Sequence, residues 1–165
     1  MARKHLGFSI AAITVAALVL TIGSGVAFAQ VIALATGSGQ IHVNGELRTF
    51  TFNASTDTSG VTTGQTQAFS RSSGIKWHGS INCLNVVGNV ATMSGVVTDI
   101  SPVTPPFFVV GADIVFQVID NGQGQNASPD LISLTFFNPP GNPFPCAGNG
   151  TFATIPVEHG NVTVH

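Results

Sequence analysis

The sequence predicts an all-β protein, a single antiparallel β-barrel or β-sandwich of about nine short strands tied by one disulfide. Three observations lead there. Turn residues recur roughly every ten positions, apolar residues alternate between them, and no long run of Ala, Leu, Glu or Lys follows Gln30 to favour a helix. The barrel is favoured over the sandwich, because closing a sheet on itself removes edges that would otherwise need protection.

Taken in order, the first strand signal is Gln40 to Val43, followed by Asn44-Gly45, a strong two-residue hairpin turn. The returning strand, Glu46 to Asn53, places Phe50 and Phe52 on one face and Thr49 and Thr51 on the other, as a period of two requires. Further strands are expected at Thr66 to Ser70, Ile75 to Val86, Val90 to Ile100 and Ala112 to Asp120, with Gly88-Asn89 turning the middle pair. In Ala112 to Asp120, Ile114, Phe116 and Val118 face one way and Asp113 and Gln117 the other, which predicts one buried and one wetter face. Leu131 to Phe137, Thr151 to Val157 and Val162 to His165 complete the set, the last two joined at Gly160-Asn161. Two segments break the rhythm: Ser101 to Phe108 and Asn138 to Cys146 are proline-rich, and proline cannot donate to a central ladder, so both are loops or edges.

The N-terminus carries basic Arg3, Lys4 and His5, an apolar stretch from Leu6 to Ile22, and small residues ending in Ala27-Phe28-Ala29. That order is the signal-peptide pattern, with cleavage expected after Ala29 and no stable membrane insertion afterwards. The chain thus divides into a cleaved signal peptide over 1–29, a flexible or edge-strand segment over 30–38 and the β domain over 39–165. The expected location is secreted, extracellular or cell-surface. Gln30 to Ala35 is apolar, and its alternatives are a frayed tail, an added edge strand and a strand donated to a neighbouring subunit.

Past the signal, Arg48, Arg71 and Lys76 face all seven carboxylates of the chain. So few cations leave no footprint for phosphates, and nucleic acid is not an expected partner. Cys83 and Cys146 are the only cysteines, and an even pair in an exported chain predicts a structural disulfide. It would pin the second proline-rich segment to the strand that holds Trp77 and Ile81.

Chemical motifs are sparse. Gly122 to Ala127 fits G-x-G-x-x-A, but Pro129 and a new strand follow where a phosphate-binding helix would begin, so a nucleotide site is not expected. Asp120-Asn121-Gly122-Gln123-Gly124 reads better as a tight turn; the alternative is a calcium site with Asp120 and Asp130 as ligands. His42, His78, His159 and His165 are scattered, and His78 would need a nearby carboxylate to act as a base. No catalytic residue or organic cofactor is expected, and catalytic signatures such as G-x-S-x-G or H-E-x-x-H are missing. Phe107-Phe108, Phe136-Phe137 and Phe144 lie at the proline-rich loops, where they cap the core or line a pocket mouth. The lack of Tyr and a single Trp weigh against a sugar-stacking surface.

The runs G-x-G-x-I at Gly37 to Ile41, T-F-x-F-N-A at Thr49 to Ala54, H-G-x-I-x-C at His78 to Cys83, V-x-G-N-x-A at Val86 to Ala91 and D-N-G-x-G at Asp120 to Gly124 resemble a group of small secreted bacterial all-β proteins with a post-COAP-1-like domain. That family has no established activity, so the resemblance implies bacterial origin and β architecture alone. Gln123 stands where many relatives carry Glu, which weakens a cation site there. The expected function is a non-catalytic extracellular or cell-surface interaction module, whose expected partner is a second copy or an extracellular protein. The alternatives are a barrel that binds a small apolar ligand and, last, a barrel enzyme.

Overall fold

The computed structural model describes residues 30–124, 126–147 and 150–165. The expected signal peptide over 1–29 lies outside them. The described residues form strands and loops with no helix, so none is long and apolar enough to cross a membrane.

Ten strands follow in chain order: β1 Val31–Val43, β2 Glu46–Asp57, β3 Thr62–Ser70, β4 Lys76–Val87, β5 Val90–Ser101, β6 Asp113–Ile119, β7 Leu131–Ser133, β8 Phe136–Asn138, β9 Thr154–Pro156 and β10 His159–Val164. They make one antiparallel sheet in the order β10-β1-β2-β3-β4-β5-β6-β7-β9, with β8 also pairing with β6. The sheet curls into a half-barrel. Short turns enforce the meander. Asn44 and Gly45 both take positive φ, 51° and 79°, the geometry a two-residue hairpin needs to match strand twist.

Register decides which side chains enter the concave interior. Gly37 pairs with Phe52 and Gly39 with Phe50. A Cβ on Gly37 would lie 2.6 Å from the Phe52 ring, so the glycine leaves the space that the ring fills. Phe52 meets Phe116 edge-on at 5.7 Å, and Ala35, Ile81, Met93, Val118 and Val162 complete the main core around them. A second cluster, Trp77, Val97, Ile100, Ala112 and Ile114, fills the other end, with Phe108 and Phe137 packed against it.

Several expectations change. The segment over 30–38 forms the first part of β1, which pairs within the chain with β2 from Val31 and with β10 from Ala35. Gly160-Asn161 is not a turn: both lie inside β10, and a Cβ on Gly160 would collide with the Ser38 carbonyl, so glycine serves close backbone approach there. The strand expected over Leu131 to Phe137 breaks into β7 and β8, and the Ser133 hydroxyl accepts the Gln117 N–H at 2.9 Å across the break.

The wetter face expected for β6 is buried as well. Asp113 and Gln117 are both buried, because the proline-rich segment after β8 crosses over them. Asn142 N–H donates to Asp113 Oδ2 at 3.0 Å, Gln117 Nε2 donates to Thr92 Oγ1 at 3.0 Å, and Cys146 joins Cys83 on β4. The expected disulfide is present, with its Cα atoms 5.8 Å apart, well inside the usual range. It holds the segment as a strap across β4, β5 and β6.

Candidate functional site

Asp120 and Asp130, the residues of the alternative calcium reading, accept backbone N–H groups in the structure. Asp120 and Asp130 flank the loop between β6 and β7, and the curl of the sheet brings that loop against β10. Asp130 Oδ2 accepts the Val162 N–H at 2.7 Å and Asp130 Oδ1 accepts the Asn121 N–H at 2.9 Å. Asp120 Oδ2 accepts the Val164 N–H at 3.0 Å, and Asp120 Oδ1 accepts the Gly122 N–H at 2.8 Å. All four carboxylate oxygens thus receive a backbone donor. Two of those donors are strand groups of β10, so the carboxylates stand in for the neighbouring strand that β10 would otherwise require. Among the described residues no three His, Cys, Asp or Glu side chains converge.

The histidines do not gather. His42 Nδ1 lies 2.7 Å from Glu158 Oε2 in an exposed pair. His78 stands opposite Asp99 in the register of β4 and β5, with no hydrogen bond joining the two side chains.

A cleft opens instead at the end of the curl where β2, β3 and β4 approach β7 and β8. It encloses about 250 Å³. Strand parity builds it: Arg48 pairs with Ser70, Phe50 with Ala68 and Ala68 with Trp77, so these side chains share the concave face. Phe108 and Phe137 close the far wall, and both also lie on the second core cluster, so capping the core and lining a pocket are one arrangement. Trp77 meets Phe137 edge-to-face at 5.5 Å, and Phe108 lies 4.9 Å from Phe137. Phe107 stays exposed, and Phe136 packs on Phe152 outside the cleft.

One charged pair sits on the cleft wall. Glu46 Oε2 accepts from Arg48 Nε at 3.0 Å and Nη2 at 2.8 Å, while Glu46 Oε1 accepts the Ser73 N–H at 3.0 Å. The Ser70 hydroxyl, then the Arg48 guanidinium and the Ser73 N–H, pull the Glu46 carboxyl from its ordinary 4.5 down to about 2. Ser70 stands within electrostatic reach of that carboxylate but outside hydrogen-bond geometry. Its Oγ is the one buried side-chain polar atom left without a hydrogen-bond partner among the described residues.

Glu46, Arg48 and Ser70 were not singled out by sequence reasoning. The signal was present: Glu46 and Arg48 share the parity of Phe50 and Phe52, so alternation already turns a charged pair toward the concave face.

No family model, curated protein or solved structure matches the chain.

Proposed function

We propose that this chain is an exported, non-catalytic extracellular or cell-surface binding protein that holds a small apolar molecule in the aromatic cleft. In this reading the curled sheet is a barrel left open at one mouth. The observation that carries it is the cleft itself, walled by Phe50, Trp77, Phe108 and Phe137 with a few polar groups on one side. Concave, mostly apolar sites with a few placed polar groups are the usual form of small-molecule sites.

The titratable chemistry favours binding over catalysis. Glu46 and Arg48 neutralise each other, and a carboxylate with a pKa of about 2 is a weak base at neutral pH. Export is supported by the N-terminal pattern and by the disulfide, which suits an oxidising compartment.

Trp77 is the only tryptophan, so its indole N–H signal in a nitrogen–proton correlation spectrum reports directly on the cleft. Adding ethylbenzene or acetophenone to the mature protein is expected to move that signal saturably. Ala68→Phe, which fills the cleft from β3, is expected to abolish the response while far-ultraviolet circular dichroism stays unchanged. If neither compound moves the Trp77 signal, the binding reading fails.

A further inference from the structure

Two polar groups of the cleft wall keep hydrogen-bonding capacity that Glu46 does not take up. Ser70, 9% exposed, lines the cleft and its Oγ has no hydrogen-bond partner. Arg48 uses Nε and Nη2 on Glu46, and Nη1 donates to no group among the described residues. Ser70 Oγ is buried, and an unpaired buried atom costs free energy that a bound ligand can recover; Arg48 is 36% exposed, so its Nη1 exchanges water for a ligand. Arg48 has only donors to offer and Ser70 can donate, so the common need is an acceptor oxygen.

Charge and size narrow the ligand. Glu46 lies on Arg48 and stays ionised far below neutral pH, so the wall carries no net charge. An anionic ligand would gain Arg48 and meet Glu46, and a cationic one the reverse. A volume of about 250 Å³ lies just under the usual range of drug-sized pockets, which suits one substituted ring. The edge-to-face arrangement of Trp77 and Phe137 offers ring faces and edges for that ring to pack on.

Resting on the binding reading above, we infer that the ligand is a neutral, single-ring aromatic compound bearing an acceptor oxygen such as a ketone, which Ser70 and Arg48 receive. Three probes of nearly equal size separate the possibilities: acetophenone supplies a neutral acceptor, ethylbenzene none, and benzoate a charged one. Titrations followed at the Trp77 indole signal are expected to give acetophenone an affinity about tenfold above each of the others. Ser70→Ala is expected to reduce that preference several-fold. Arg48→Lys, which keeps the ion pair with Glu46 but removes the forked guanidinium, is expected to do the same.

Equal binding of acetophenone and ethylbenzene, or a preference unchanged in both variants, overturns the acceptor inference while leaving the apolar site intact. Tighter binding of benzoate overturns it in favour of an anionic ligand. No response from any of the three removes the site altogether.

Discussion

The strapped side of the sheet and the cleft end are built from the same strands, yet they treat polar side chains in opposite ways. Under the strap and along the seam with β10, buried Asp113, Gln117 and Asp130 each meet hydrogen-bonding partners drawn from another part of the chain. At the cleft end, among the described residues, Ser70 Oγ and Arg48 Nη1 have no hydrogen-bond partner. In the proposed reading, polar groups satisfied by the chain hold the fold, and those left over at the cleft receive the ligand.

Removing the strap's anchor should break the sealed side most severely. Cys83→Ser with Cys146→Ser opens a loop of 63 residues, and the chain-entropy model gives a loss of about 4 kcal/mol. Urea unfolding of the double variant measures it. A loss near zero would mean that the prolines and the Asp113 and Gln117 contacts hold the strap without the disulfide.

The seam carrying Asp120 and Asp130 should come next. Asp130→Ala removes acceptors from Asn121 and from the buried Val162 N–H, which is expected to cost about 3 kcal/mol. Asp120 is half-buried, and Asp120→Ala is expected to cost about half as much, roughly 1.5 kcal/mol. Equal losses would show that the seam acts as one unit. The same melts run with a chelator separate two roles of these carboxylates. Acceptors of N–H groups leave the midpoint unchanged, whereas a fall on chelation would make them calcium ligands.

Much of this architecture was legible in the sequence where the signal was local. Asn44-Gly45, the Phe50/Phe52 parity and the pair of cysteines required only neighbouring residues or composition to interpret. What the sequence hid depended on long-range contact. Asp113 and Gln117 look solvent-facing until a strap joined at Cys146 covers them. Gly160 looks like a turn until β1 passes close against it. Asp120 and Asp130 have the composition of a cation loop, and only the curl of the sheet reveals that β10 presents N–H groups to them. The cleft was partly legible, since Phe108 and Phe137 lie beside the proline-rich loops, but its polar wall comes from β2 and β3, far from them in sequence.

The mildest perturbation bears on the open end alone. The Glu46 and Arg48 side chains are 16% and 36% exposed, so solvent screens their pairing and its loss should shift stability less than any change above. The sign follows from the direction of the shift. Folding depresses the Glu46 pKa from 4.5 to about 2, so the ionised carboxylate stabilises the fold fully above pH 4.5, and that contribution fades as pH falls toward 2. Glu46→Gln should therefore unfold at lower urea than the parent at pH 7, with the gap closing through this window and vanishing below it. Asp57, depressed by the Ser59 hydroxyl and the Val61 N–H at the β2–β3 turn, remains in both proteins and cancels in the comparison. In the same series the Trp77 indole signal should move with the Glu46 titration in the parent and stay still in the variant. A gap that persists at pH 2 would mean that the Glu46 side chain supports the cleft through packing and not through its charge.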